Sequence, residues 1–484
     1  MSPTPLHLLW LLFAPLALGL LAWVRPPRHS GLVLFVAMPL PLVALWLLLG
    51  LDDGPMAGQL ALGPLTLHWR LDGLAALLWL LTQLLLLASA LYAAGYVRTT
   101  TLGQRAYAWL WPLMGGLALG LGLIWIAADL LLLYAGLELM GLCAVGMMLL
   151  PGNAEALTAG LRYLLFALVG SLTWLLGIAL LLGAWGRLDL AGMAGLASVA
   201  QPDPVTQIAV ALLASGLLLK GAIFPLHSWL APVHGSAWTP VSAIHGALVV
   251  KASFFILLLL WRALLPEAIA GAWALGLLGS LAVLWGGIQA WRAVGLKQLV
   301  AWSTVGQLGY LMLAFPLLAG TSAAVALMAW QATWLQLAGH ALAKAAMFMA
   351  AGNLLLSTGA HRLEGLTGTS RRLPLSLMTF GLAAVTLMGL PPSAGFTAKW
   401  LWLQASLASG QWLWVVVLAL GSLLSAIYVF RVLRCSFVED APEQAFRSLP
   451  LGMELIALVL ALAAIGLGLA AGWPLSFLAP VGVP

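Results

Sequence analysis

Glu138, Lys220, Lys251, Lys344 and Lys399 stand inside long apolar runs of this 484-residue chain. The chain has five lysines, and these are four of them, whereas its fifteen arginines lie almost entirely in short connecting segments. A charge at the centre of a membrane span costs about 2.5–3.5 kcal/mol on the insertion scale, so five cost more than about 10. No bundle carries that without pairing, hydrating or neutralising the groups. Lysine suits a path for protons, because an ammonium can give its proton up on burial and a guanidinium cannot. Structural ion pairs are the alternative, but four cations against one acid leave most of them unpaired. The pattern predicts a hydrated relay of titratable groups.

Histidines extend the line. His340 and Lys344, four residues apart, share a helix face. His245 and Lys251 share a run but, six apart, are expected on roughly opposite faces. His227 and His234 fall in PLHSWLAPVHGSAW, read as a loop near the cytoplasmic surface. With His245 they are candidates for proton uptake or an accessory role, and for His234 plain solvation is the alternative. His7, His29, His68 and His361 read as surface residues. Two runs are interrupted: Lys220 precedes Pro225 by five residues, and Lys399 follows Pro391 and Pro392. Proline removes a helix hydrogen bond, and broken helices in membranes are tolerated where they line a cavity. Simple kinks are the alternative, and a lysine beside each break favours the cavity.

The elements that position these groups follow from composition. The chain is 63% hydrophobic and 7% charged, against about 25% charged in soluble domains, so it is an integral membrane protein. Runs long enough to span are 8–24, 31–51, 71–97, 107–126, 130–150, 157–185, 205–226, 240–261, 268–291, 299–318, 324–356, 374–403, 412–433 and 453–473. That is an all-α polytopic bundle of fourteen helices, with none of the short alternating segments of a membrane barrel. The longest gaps, 52–70, 186–204 and 434–452, are too short for a soluble domain. No cleavable signal peptide is evident, since the first run lacks a basic leader and is followed by Arg25 and Arg28. In alternate loops, Arg25, Arg28, Arg98, Arg105, Arg292, Lys297, Arg362, Arg371, Arg372, Arg431, Arg434 and Arg447 make twelve against three, Arg70, Arg187 and Arg262. The richer side is expected in the cytoplasm, with both termini outside a bacterial inner membrane. Arg162, one turn into its helix, can snorkel to the cytoplasmic side.

Several functions are excluded. The net charge of +6 is spread over loops, so no nucleic-acid partner is implied. Cys143 and Cys435 lie far apart without the spacing of a haem, iron–sulfur or zinc site or of a disulfide framework. No glycine-rich dinucleotide motif is present, so neither cofactor nor metal nor redox chemistry is expected in this chain.

The chain resembles the proton-conducting membrane subunits shared by respiratory complex I and the Mrp-type multisubunit cation/proton antiporters. The resemblance runs from LDGLAALLWLLTQ to GFTAKW and rests on ADLLLLYAGLELM, LLLKGAIFPLHSWL, TPVSAIHGALVVKA, LKQLVAWSTVGQLGYL, HALAKAAMFMAAGNL and GLPPSAGFTAKW, in that order. It implies two inverted five-helix repeats, each with a broken helix, here 107–262 and 263–434, after three helices in 1–106 and before a last one in 435–484. It also implies that Glu138 couples to a neighbouring subunit, that Lys220 belongs to the first broken helix, that Lys251, His340 and Lys344 form the central relay, and that Lys399 is terminal. Gln307 and TPVSAIHGALVVKA are closest to the D-type member of the Mrp antiporters, while Arg162 and SAW at 236–238 depart from the usual pattern. The expected function is therefore proton translocation in a hetero-oligomeric antiporter exchanging protons for sodium or another monovalent cation. The alternatives are the pumping arm of an NADH–quinone or hydrogenase complex, or an ion-coupled component of a bicarbonate importer.

Overall fold

The computed structural model describes residues 5–24, 44, 54–62, 65–100, 104–199, 203–438 and 446–478. Thirteen of the fourteen expected spans fall on them. The run 31–51, together with Arg25, Arg28 and His29, lies outside the described residues apart from Ala44.

The spans are α1 (Pro5–Val24), α2 (Gly73–Thr99), α3 (Gln104–Ile126), α4 (Leu130–Met148), α5 (Ala154–Trp185), α6 (Pro204–Lys220), α7 (Leu230–Ser236), α8 (Thr239–Leu264), α9 (Ile269–Arg292), α10 (Leu296–Leu311), α11 (Ala323–Thr358), α12 (Pro374–Met388), α13 (Ala394–Ala408), α14 (Trp412–Phe437) and α15 (Leu451–Leu469). α6 and α7 are the halves of one interrupted span, and α12 and α13 of another. Eleven of the described helices are long and apolar enough to cross a membrane unaided. Polar starts are capped from the side chain: Asp72, Asp129, Asn153, Asp203 and Ser322 each accept a backbone N–H from the first turn.

α8, α10 and α11 are buried on nearly every side, and they carry many of the polar residues that the sequence places inside the membrane. α5 shows the opposite pattern, exposing Leu161, Leu165, Leu168, Leu172 and Leu176 along one stripe. The helices that flank the central ones cross at glycines. A Cβ on Gly309 of α10 would lie 2.4 Å from the Gly279 carbonyl of α9, and one on Gly216 of α6 would lie 2.7 Å from the Gly170 carbonyl of α5. Small residues let helix backbones meet where lipid supplies no hydrophobic drive.

One element went unread in the sequence. Met56–Leu62 and Leu65–Leu71 form an antiparallel hairpin, registered from Met56↔Leu71 to Leu62↔Leu65. Its signal is the alternation of Leu65, Leu67 and Trp69 with Thr66, His68 and Arg70. It lies against the rim where α3 ends and α4 begins, with Trp69 bridged to Ala127. At that rim the Arg187 Nε and Nη2 donate to Asp189 at 2.7 and 2.9 Å, and the guanidinium holds that carboxyl below the usual carboxylate range.

Overpacking a helix crossing costs about 1–3 kcal/mol. Gly309→Val is accordingly expected to lower the thermal midpoint of the detergent-solubilised protein. Gly452→Ala, where a Cβ meets nothing within 4 Å, is expected to leave the midpoint unchanged.

Candidate functional site

α6 ends on Lys220, and α4 brings Glu138 alongside: Lys220 Nζ donates to Glu138 Oε1 at 2.8 Å, and Ser171 Oγ of α5 donates to the same oxygen at 2.6 Å. The lysine side chain is 7% exposed and the glutamate 24%, so the pair opens toward the flank of the bundle on the acid's side. Beyond Lys220 the chain leaves helical geometry, with Ala222 in the left-handed region at φ 53, and passes through Pro225 before α7. The Leu219 carbonyl, freed by this break, accepts the indole N–H of Trp229 at 3.0 Å.

The segment holding His227 and His234 is not a solvated loop. His234 lies in α7 and is fully buried, its ring stacked on Phe348 at 4.8 Å and edge-on to His245 at 5.1 Å. His227 is 7% exposed, stacked on Phe224 and set against Trp302. The reading as a loop failed because the break folds α7 back among α5 and α10 instead of releasing the chain at the surface. Lys297, counted with the loops, lies in the first turn of α10 and donates to the Ala237 carbonyl at 2.5 Å.

α8 contains one turn of π-helix over His245–Val249. A π turn disturbs the ladder of bonds four residues apart and often marks a functional position. Here the Gly246 carbonyl accepts from Lys251 Nζ at 2.7 Å. His245 points elsewhere: its Nε2 lies 3.1 Å from the Tyr163 hydroxyl, and Tyr163 is stacked on Trp229 at 4.2 Å. With the π turn between them, Lys251 turns to the Gly246 carbonyl and His245 to Tyr163, yet the two remain near enough to interact electrostatically.

His340 and Lys344 lie on the buried α11. Lys344 Nζ donates to the Val300 carbonyl of α10 at 2.7 Å and to Ser303 Oγ. His340 stands among Lys251, Lys344 and Lys399, each near enough to act on it electrostatically, and neither ring nitrogen has a hydrogen-bond partner. Lys399 lies on α13 beyond the break at Pro391–Pro392. Its Nζ donates to the Leu387 and Met388 carbonyls at 3.0 and 3.2 Å and to Ser422 Oγ at 3.0 Å, and it lies 4.5 Å from the centre of the Tyr310 ring. Those carbonyls are the terminal ones of α12, unpaired within the helix and carrying the negative end of its dipole. Gly389 makes the approach possible, since it has φ 76 and a Cβ there would lie 2.6 Å from Lys399 Cδ. Gln307 shares the site: its Nε2 donates to Leu387 O at 2.9 Å and its Oε1 accepts from Gln336 at 2.9 Å.

The sequence reading missed Ser171, Tyr163, Ser303, Ser422 and Gln336. Each is an ordinary polar residue for a helix, and only its placement opposite a lysine, histidine, glutamate or glutamine distinguishes it. Among the described residues no group of three or more His, Cys, Asp or Glu side chains could hold a metal ion.

Residues 127–425 match the family model described as NADH:quinone oxidoreductase/Mrp antiporter, TM. The chain is 30% identical over 416 residues to NADH-quinone oxidoreductase subunit N of Desulforudis audaxviator, covering 82% of this chain and 81% of that protein. Among solved structures it is similar to a chain of the Mrp complex from Dietzia sp., with TM-score 0.87 at 23% identity over 98% of this chain and 96% of that one. It is also similar to a chain of respiratory complex I from Thermus thermophilus, with TM-score 0.76 at 28% identity over 97% and 98%.

The geometry of the Glu138–Lys220 pair predicts strong coupling. Glu138→Gln and Lys220→Met are each expected to lower stability in detergent. The double variant should lose less than their sum, by about 1–3 kcal/mol, measured as a double-mutant cycle of unfolding free energies. Additive losses would show that the pair contributes nothing.

Proposed function

This chain belongs to the NADH:quinone oxidoreductase/Mrp antiporter transmembrane family, and on that premise we propose that it carries protons across the membrane along Glu138, Lys220, Lys251, His340, Lys344 and Lys399, as one member of a hetero-oligomeric complex. The observation that carries this reading is the unequal partnering of the four lysines. Lys220 has a carboxylate, whereas Lys251, Lys344 and Lys399 have only carbonyl and hydroxyl acceptors among the described residues. A neutral acceptor supports an ammonium without fixing it, so each of the three can exchange its proton as its neighbours change charge.

The steps follow from that arrangement. While Glu138 is ionised and close, Lys220 keeps its proton. When a neighbouring protein of the complex pulls the carboxylate away or protonates it, Lys220 gives its proton up. The positive charge that reaches Lys251 and Lys344 acts through His340 on Lys399, the last group, which releases outward. His227, His234 and His245, with Tyr163, form the uptake side. In this reading the arginine-rich rim is cytoplasmic, both termini face outward, and 107–262 and 263–434 are two inverted repeats flanked by 1–106 and 435–484.

The ion exchanged is sodium or another monovalent cation in the antiporter reading. A second reading is favoured by the relative named NADH-quinone oxidoreductase subunit N: the same relay then works as the pumping arm of a redox complex. Membrane vesicles carrying the assembled complex separate the two. An imposed sodium gradient moves protons only in the first case, and a respiratory electron donor moves them only in the second.

Lys220→Ala is expected to abolish proton transport at unchanged assembly, and Lys220→Arg to fail nearly as badly, because a guanidinium keeps its charge. A pH dye in the same vesicles reads this, and normal transport in a well-assembled Lys220→Ala complex would refute the assignment. At the far end, Lys399→Ala is expected to block transport while Lys399→Glu retains a measurable fraction, since a carboxyl also relays protons. Complete loss in both would make Lys399 an electrostatic gate instead of a carrier.

A further inference from the structure

The segment between Lys344 and Lys399 contains more than the two lysines and His340. A cavity with about 10 Å³ in which the centre of a water can sit is lined by Ser303, Gln307, Tyr310, Gly421, Ser425 and Tyr428, among others. That volume holds one water. The cavity lies on the seam of α9, α10 and α14 and has a lysine contact at each end.

At one end Lys344 Nζ donates to Ser303 Oγ. The Tyr428 hydroxyl stands beside Ser303 and donates to Ser425 Oγ at 3.2 Å. Across the cavity, the Tyr310 hydroxyl is buried and makes no well-aligned hydrogen bond, with Ser422 near enough for a loose one, and a buried hydroxyl so placed is costly unless a water serves it. Ser422 stands beside Tyr310 and accepts from Lys399 Nζ at 3.0 Å. Gly421 keeps the space open, because a Cβ there would lie 2.1 Å from the Tyr310 hydroxyl oxygen. His340, by contrast, has no hydrogen bond at either nitrogen. The amide of Gln307 is occupied by Leu387 O and Gln336, and an amide passes protons poorly.

We propose that Ser303, Tyr428, Ser425, one water, Tyr310 and Ser422 form a hydroxyl wire that carries protons between Lys344 and Lys399, with His340 acting on it only through charge. The proposal rests on the translocation reading above, names its final segment, and moves His340 from the path of the proton to its side. In one transfer Ser303 and Ser425 turn from the Val300 and Gly421 carbonyls to which they donate, the Lys344 ammonium loses a proton to Ser303, each hydroxyl passes its own proton onward as it takes one up, and the Lys399 amine gains one. Every oxygen ends as a neutral hydroxyl, so no charge is left between the lysines.

The test uses membrane vesicles with the assembled complex and the variants Tyr310→Phe and Tyr428→Phe, each of which deletes one oxygen and keeps the ring. Proton flux is expected to fall about tenfold or more, with a larger solvent deuterium isotope effect on the remaining flux and unchanged co-purification of the partner proteins. Ser425→Ala is the equivalent test should either phenylalanine variant fail to assemble. Lys399→Ala is measured in parallel. Wild-type flux in the hydroxyl-deleted variants beside a dead Lys399→Ala complex overturns the wire and leaves the relay standing. Reduced flux with an unchanged isotope effect also overturns it, because the hydroxyls would then serve packing alone. Normal flux in Lys399→Ala would overturn the relay itself, and the wire with it.

Discussion

An α-helix commits its interior carbonyls to its own ladder, so an ammonium inside a helical bundle finds no backbone acceptor unless a helix is interrupted or a carbonyl is shared. This constraint organises the described structure. Lys251 is received by a carbonyl at a π turn, and Lys399 by the last carbonyls of α12 where the chain breaks at Pro391–Pro392. Lys344 reaches the Val300 carbonyl of a neighbouring helix, where Ser303 and Thr304 also donate. Lys220 sits at a break too, but is met by Glu138. The irregularities of the backbone and the positions of the lysines are therefore one feature.

Interrupting helices inside a membrane leaves polar backbone groups to satisfy, and the surroundings of each break are built for this. Trp229 covers the Leu219 carbonyl, and Gln307 shares Leu387 with Lys399. Ser393 caps the restart of α13. Glycines let the halves pack closely enough for these contacts: Gly389 lies directly under the Lys399 stem, and a Cβ on Gly395 would lie 1.9 Å from the Thr386 carbonyl. The burial of the lysines is thus secured by the residues that repair the breaks.

Much of this was legible in the sequence. Composition gave the membrane, hydropathy gave the spans, and the scarcity of lysine outside them pointed to Glu138, Lys220, Lys251, Lys344 and Lys399. The prolines marked both breaks. What stayed hidden has a common cause: it depends on contacts between helices distant in sequence. Ser171 meets Glu138 across 33 positions, Lys344 reaches Ser303 across 41, and Tyr163 meets His245 across 82. The π turn in α8 leaves no mark in HGALV, where His245 is followed only by small and apolar residues. His234 was misplaced for a related reason, because a segment rich in proline and histidine resembles a loop until its helix is seen packed against Phe348.

Among the described residues Glu138 is the one carboxylate paired with a lysine of the line, and in the proposed relay this sets a direction. Glu138 is the member of the line that reaches toward the flank of the bundle, at 24% exposure, while Lys251, Lys344 and Lys399 are enclosed. In the proposed relay, a signal from a neighbouring protein therefore touches the line at the acid and at no enclosed lysine directly. Because the three enclosed lysines are held by neutral acceptors, a change of charge at the Glu138–Lys220 pair would meet, among the described residues, no carboxylate bonded to a lysine along the way to cancel it. A bundle with a carboxylate beside every lysine would be better neutralised and would transmit less. In the proposed relay, the unequal distribution of acids is what lets one end of the line act on the other.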